Sequence, residues 1–346
     1  MARKLLWASL VLAPITIAAR YAFHADDTLL FVLAAIALIP LAWLIGEATE
    51  HAAEHTGPGI GGFLNASFGN APELIIALFA IGSGLPNVVR GSLAGSVVSN
   101  ILLVLGLAML IGPDRSRLDR RSLVLQLALV LFAVLLFLVP SVPGFHGDPD
   151  RHSLALVTLP VAVVLLGVYI AVTFWNLRQH RAAHKEEADV LAWSLQRSLV
   201  ALAAATAVTA LISETLVHSL DAFADSAGLS EFFISFVIVA IVGNAAEHGG
   251  AVVIAHRGNL ELASEIAVSS SAQVALFVIP AVALLSFLVS PALPLSFRPI
   301  ELIAMGGAAA GVAFAVRDGL SRRWEGGLLI AIYGGVALAA LLAGDR

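Results

Sequence analysis

The sequence predicts an all-α polytopic membrane protein, and three observations carry that prediction. Of 346 residues, 59% are hydrophobic and only 12% are charged, against about 25% charged in soluble domains. Mean hydropathy is +0.94. The apolar residues fall in long continuous runs, whereas outer-membrane strands would alternate in roughly 10-residue pieces. This composition excludes a water-soluble enzyme, a disordered chain and a nucleic-acid binder. With net charge −5 and 19 Lys and Arg in all, there is no basic field for a polyanion. Cysteine is absent, so there is no disulfide framework and no thiolate ligand.

A spanning helix needs about 20 mostly apolar residues. Eleven segments qualify, at 4–23, 28–48, 60–83, 88–112, 122–142, 153–177, 195–219, 229–254, 262–289, 298–316 and 323–343. Basic residues orient them. With the N-terminus on side one, 14 of the 19 Lys and Arg collect there, among them Arg115, Arg117, Arg120 and Arg121. The N-terminus is therefore expected in the cytoplasm and the C-terminus outside. Residues 1–27 read as an N-terminal transmembrane helix. A cleaved signal peptide ending near Ala18 and Ala19 is the alternative. The polar stretch 178–194 reads as a cytoplasmic linker, with ion sensing by Glu186, Glu187 and Asp189 as its less bland reading.

The remaining spans form two copies of one pattern, 28–177 (spans two to six) and 195–346 (spans seven to eleven). Sliding the chain by 174 residues places Gly69, Asn70, Ala71 and Glu73 on Gly243, Asn244, Ala245 and Glu247. Ser96 falls on Ser270, and Ser99 on Gln273. Five spans, an odd number, separate the copies, so they are expected in opposite orientations. Inverted repeats are the architecture of secondary transporters, with the site at the midplane.

A carboxylate at a helix centre costs about 2.5–3.5 kcal/mol on insertion scales. Glu73 and Glu247 sit inside spans that offer no Lys or Arg partner. Asn70 and Glu73, like Asn244 and Glu247, are three apart and share a helix face. Ser96 and Ser99, with Ser270 and Gln273, repeat that spacing on the next span of each copy. Two carboxylates with amide, hydroxyl and carbonyl oxygens make a hard, all-oxygen site, which suits Ca²⁺. Without a cation, two nearby buried carboxylates cannot both stay ionised, so protons and a divalent cation become competing ligands. Gly69, Gly243 and Pro72 are candidate hinges that free carbonyl oxygens, because Pro72 lacks the N–H that would bond the Phe68 carbonyl. Close helix packing is the bland reading of those glycines, and of Gly91 and Gly95.

These segments resemble the Ca²⁺/H⁺ antiporters of the calcium/cation exchanger superfamily. The resemblance rests on GEATEHAAEHTGPGIGGFLNASFGNAPELIIALFAIGSG (46–84), GSVVSNILLVLG (95–106), VGNAAEH (242–248) and SSSAQVALFVIP (269–280). It implies eleven spans, the first outside both repeats, and alternating access around two glutamates. By position, Glu73 and Glu247 would carry cation or protons, supported by Asn244, Ser270, Gln273, Ser96 and Ser99. Pro72 stands where the family commonly has a small aliphatic residue and Ser269 where it has Gly. A Pro before the glutamate looks more like the related Na⁺/Ca²⁺ exchangers, so Na⁺-coupled exchange is the alternative.

Glu47, Glu50 and Glu54, with His51 and His55, crowd the end of span two and read as a vestibule or as a solvated helix end. Glu214, with His218 one turn on, is its candidate counterpart in span seven. Asp221, Asp225 and Glu231 would line the external side. His248 adjoins Glu247 but points elsewhere on an ideal helix. The rival of another class is an intramembrane metalloprotease, because His51, Glu54 and His55 fit HxxEH. It leaves the repeat unexplained. A channel could use the same glutamates. The expectation is a transporter and not an enzyme. It needs no cofactor, its partners are Ca²⁺, protons and the bilayer, and it has no nucleic-acid partner. Homo-oligomerisation stays open, and a bacterial inner membrane is the expected location.

Overall fold

The computed structural model describes residues 2–180, 193–289 and 291–345. Every regular element among them is helical. One isolated antiparallel bridge joins Arg117 to Leu320. The first half comprises α1 (Ala2–Ser9), α2 (Leu12–Tyr21), α3 (Asp27–Phe68), α4 (Ala71–Gly82), α5 (Pro86–Val98), α6 (Leu105–Ile111), α7 (Arg120–Gly144) and α8 (His152–His180). The second comprises α9 (Leu195–His218), α10 (Leu220–Ala227), α11 (Glu231–Phe233), α12 (Ala240–Gly243), α13 (Ala245–His256), α14 (Leu260–Gln273), α15 (Ile279–Leu285), α16 (Pro299–Ala315) and α17 (Arg323–Ala343). Wide π turns at Ser99–Val104, Ile234–Val239 and Val274–Val278 join α5 to α6, α11 to α12 and α14 to α15.

Nine helices among the described residues are long and apolar enough to cross a membrane. A tenth span results if Leu220–Ala227 and Glu231–Gly243, bent by 113°, count as one. The protein is thus an integral membrane protein of the all-α class. Two departures separate this count from the eleven expected segments. The polar stretch 49–59, expected as a turn, is helical, and α3 runs through it as a 42-residue helix. Residues 46–54 are rich in Ala and Glu, which are strong helix formers; polarity alone does not end a helix. The expected third and eighth spans are instead each broken in the middle, at Asn70 and Asn244. α4 has only 12 residues and cannot cross alone. The expected linker carboxylates Glu186, Glu187 and Asp189 lie outside the described residues.

α3 packs along α9, α13 against α14, α16 against α7 and α17 against α6. Gly95 sits where α5 meets the Ile234–Val239 turn: a Cβ there would lie 2.7 Å from the Phe236 carbonyl carbon and 2.9 Å from the Ala240 Cβ. The non-helical segment before α16 is buried, with Leu293, Leu295 and Phe297 at 1% exposure or less. Its amides are satisfied alternately by hydroxyls from three helices or their ends. Leu293 donates to Ser286 at 2.7 Å, Leu295 to Thr158 at 3.0 Å and Phe297 to Ser141 at 3.0 Å. This is how an extended backbone survives inside a membrane protein. Arg90, 1% exposed, closes the same end. It donates to Asp150 at 2.6 Å, Asn87 at 2.7 Å and the Pro294 carbonyl at 3.3 Å.

Candidate cation site

Asn70 and Asn244 occupy equivalent breaks. Their backbones leave the helix in the same way, at φ −101°, ψ 17° and φ −92°, ψ 9°. Each break starts a new helix, α4 or α13, and each carboxylate is the third residue of its helix. The first turn of a helix carries unpaired N–H groups and the positive end of the dipole, which favour an anionic side chain. The two breaks therefore do locally what a buried Lys or Arg would otherwise do. They also end the preceding helices there, so α3 and α12 present carbonyl ends beside the carboxylates. Pro72 at the second position of α4 has no N–H to give the Phe68 carbonyl. Gly243 has Glu73 packed over it: a Cβ there would meet the Glu73 Cγ at 3.4 Å.

The expected supporting residues converge. Asn70 donates to Gln273 at 3.1 Å, and Asn244 to Ser96 at 2.8 Å. Ser270 donates to Glu247 in a short contact. Each link joins one repeat to the other or closes onto a carboxylate. Ser99 is fully buried and gives its hydroxyl proton to the Ser96 carbonyl at 3.2 Å. Glu73 is 6% exposed and lines a void of about 10 Å³ with Ser92, Ser96 and Gly243. That is room for about one water-sized probe. Among the described residues its Oε2 has no hydrogen-bond partner. Glu247 retains partial exposure. Glu73 packs against Gly243, four residues before Glu247. Two carboxyls, three amides and three hydroxyls at one junction form the oxygen-only donor set that a hard cation takes.

Two residues outside the repeated pattern join the network. Asn100 donates to Asn244 at 3.3 Å and to Ser270 at 3.0 Å, and its own oxygen faces the His248 Nε2 at 2.9 Å. The 174-residue offset pairs Asn100 with Val274 and His248 with Leu74, so a filter for repeated residues discards both. The π turns were also missed. The turns at Ser99–Val104 and Val274–Val278 overlap at the 174-residue offset, the first starting at Ser99 and the second just after Gln273. π turns are rare and concentrate at functional sites. A further intramembrane carboxylate, Glu265 of α14, accepts from Ser122 at 2.9 Å and Gln126 at 2.8 Å on α7, away from the junction.

The vestibule candidates do not join this site. Glu47 and Glu54 flank His51 on α3 at 3.7 and 3.5 Å, and Glu50 is exposed. Glu214 is ion-paired to Arg20 at 3.1 Å, and Arg20 also donates to Thr215. The proposed opening beside Glu214 thus already holds a cation from α2. His51 stacks on Trp193 at 5.1 Å, and the His55 Nε2 lies 2.6 Å from the Trp193 carbonyl. The HxxEH residues are engaged in that packing. Among the described residues no three His, Asp or Glu side chains are grouped to hold a metal.

The family model for the sodium/calcium exchanger protein matches residues 27–178 and 197–342. The Ca²⁺/H⁺ antiporter ChaA of Bacillus subtilis (strain 168) is 38% identical over 321 residues, covering 90% of this chain and 91% of its own. The Ca²⁺/H⁺ antiporter of Aphanothece halophytica is 33% identical, covering 95% and 94%. The structure of native YfkE superimposes with a TM-score of 0.83 at 34% identity, covering 98% of this chain and 99% of that one. A crystal structure of an H⁺/Ca²⁺ exchanger, at TM-score 0.75 and 16% identity over 99% of this chain and 92% of that one, shares the fold. With two matched stretches that together span most of its length, the chain belongs to the sodium/calcium exchanger protein family.

Proposed function

We propose that the protein exchanges Ca²⁺ for H⁺ across a membrane by alternating access, with Glu73 and Glu247 taking the cation or protons in competition. The observation that carries this is the placement of both carboxylates in the first turns of two half-helices that face one junction. A divalent cation balances both charges, and protons balance them in its absence. A site holding neither keeps two bare charges in a low-dielectric interior and resists crossing between its inward and outward states. That penalty on the empty site is the physical basis of obligatory exchange. The relatives' names, Ca²⁺/H⁺ antiporters, support the choice of ions.

The roles of Asn70, Asn244, Ser96, Ser99, Ser270 and Gln273 as cation ligands or their supports belong to this proposal. So do the hinge roles of Gly69, Gly243 and Pro72, and the division into inverted repeats at 28–177 and 195–346. The break at Asn70 recurring at Asn244 supports that division. The arginine distribution supports a cytoplasmic N-terminus and an external C-terminus, in a bacterial inner membrane. Pro72 before Glu73 favours the second reading, Na⁺-coupled exchange.

Purified protein in sealed vesicles tests the proposal. A pH gradient should drive Ca²⁺ uptake and be dissipated by it, in the absence of Na⁺. Glu73→Gln and Glu247→Gln should each abolish uptake while the protein still inserts. Uptake that needs a Na⁺ gradient would reverse the coupling, and full activity in both variants would remove the site.

A further inference from the structure

A groove of about 300 Å³ lies between α16 and α17. Its floor is unusual. Gly307 and Gly311 of α16 face it, and a Cβ built on either meets no atom within 4 Å. Leu328 and Ile332 of α17 form a wall. At its inner end lies Leu102, which belongs to the Ser99–Val104 turn and is 2% exposed. The groove thus reaches the turn that carries Ser99 and Asn100.

Its mouth is charged. Arg317 lies 3.8 Å over the Phe314 ring, and among the described residues no carboxylate pairs with it. Arg322 is already held by Asp318 at 2.6 Å and Glu325 at 2.8 Å. Trp324 stands at the same level, 64% exposed, as expected of an interfacial aromatic. Two loops are stitched together here. Leu118 donates to Gly319 at 3.0 Å, and Ser321 to Ser116 at 3.0 Å, around the Arg117–Leu320 bridge. The stitching gathers Arg115, Arg117, Arg120 and Arg121 beside Arg317, Arg322 and Arg323. The carboxylates of the same two loops and the start of α17 are Asp114, Asp119, Asp318 and Glu325. Arginine is in excess at this end, in a chain whose net charge is −5.

We propose that the groove binds one anionic phospholipid of the leaflet on the arginine-rich side. An acyl chain lies along Gly307 and Gly311, and the phosphate meets Arg317. The chemistry matches at both ends: an apolar slot without side chains takes a methylene chain, and a guanidinium without a carboxylate takes a phosphate. The chain end abuts Leu102, so occupancy buttresses the turn behind the cation site. That last step rests on the proposed exchange function; the binding does not.

Two variants separate the parts. Arg317→Ala removes the phosphate partner. Gly311→Leu fills the slot, and the open space at that position leaves room for it without disturbing the fold. The protein is purified from vesicles of phosphatidylcholine with phosphatidylglycerol, and retained lipid is identified by mass spectrometry. The expected result is about one phosphatidylglycerol per chain in the wild type, reduced several-fold in both variants. Equal retention in all three proteins, or phosphatidylcholine retained as well as phosphatidylglycerol, would overturn the proposal. A second copy of the chain crosslinked across Gly311 in place of lipid would also overturn it. Exchange rates in vesicles with and without phosphatidylglycerol form the second arm. Wild type should run several-fold faster with the anionic lipid, and Gly311→Leu should be indifferent to it. Lost retention with unchanged lipid dependence would retain the binding and overturn the buttress.

Discussion

Asn100 holds His248 in a single orientation. Both hydrogens of the Asn100 amide are given away, to Asn244 at 3.3 Å and to Ser270 at 3.0 Å, so its oxygen must be the atom facing the His248 Nε2 at 2.9 Å. An amide oxygen can only accept. The imidazole therefore carries its proton on Nε2, and a chain of contacts runs from His248 through Asn100 and Ser270 to Glu247 across both repeats.

Replacing Asn100 with Ala should slow exchange by about tenfold or more. Leaving buried partners unsatisfied costs roughly 1–3 kcal/mol, and here three partners lose the same residue. Initial rates of Ca²⁺-driven proton release from vesicles measure it, and a wild-type rate would show that the network is idle.

At His248 the shape of the donor matters more than the charge. Glutamine can still donate to the Asn100 oxygen, whereas leucine cannot. His248→Gln should keep most of the exchange rate and His248→Leu should lose several-fold. Equal loss in the two variants would mean that proton transfer, rather than positioning, is what the imidazole supplies.

Ser270 and Ser99 both belong to the repeated polar pairs, Ser96 with Ser99 and Ser270 with Gln273, but do different work. Ser270 donates to Glu247, while Ser99 spends its proton on the carbonyl of Ser96 in its own helix. Ser270→Ala should therefore weaken apparent Ca²⁺ affinity more than Ser99→Ala. Calcium titrations of exchange in the two variants decide the order.

Gly95 and Gly91 should differ sharply on substitution by alanine. At Gly95 a methyl collides with the Phe236 carbonyl and the Ala240 Cβ, which are backbone and fixed side chain. At Gly91 the nearest obstacle is the Ser235 hydroxyl, which can turn away. Gly95→Ala should lose most folded protein by size-exclusion chromatography, and Gly91→Ala should retain it.

Arg90→Ala should lower thermal stability more than Asp150→Asn. The arginine is buried and serves Asp150, Asn87 and Pro294 together, so its loss strands several acceptors at once. Without the Asp150 charge, the guanidinium keeps Asn87, Pro294 and the amide oxygen. Thermal denaturation in detergent reports the difference.

The legible part of the site was the part that repeats. Glu73 and Glu247, with their asparagines, stood out because a buried carboxylate is costly and two in register are not accidental. Asn100 and His248 occur once each and were invisible to that test. Their role depends on a fold-wide convergence that no spacing records. The α3 continuation was illegible for another reason: residues such as Glu50 and Glu54 read as loop by polarity and as helix by propensity, and local propensity won. Glu214 looked available because its partner, Arg20, lies 194 residues earlier in the chain. Glu265 went unremarked because its partners Ser122 and Gln126 are neutral and sit on another helix.

The π turns have a consequence for how helices of this chain can be counted around their axes. A π turn holds about one residue more than the α-helical turn it replaces, and one residue is about 100° of rotation. A helical wheel drawn through Pro86–Ile111 at constant pitch therefore mislabels every face beyond Val104, and one through Leu260–Leu285 mislabels every face beyond Val278. Deleting a single residue inside either turn would alter composition by only one residue in 346. It would swing α6 or α15 about a quarter-turn relative to the oxygens that precede it. The angular phase of these helices, set by one surplus residue in each, is thus as much a determinant of the junction as the identity of its side chains.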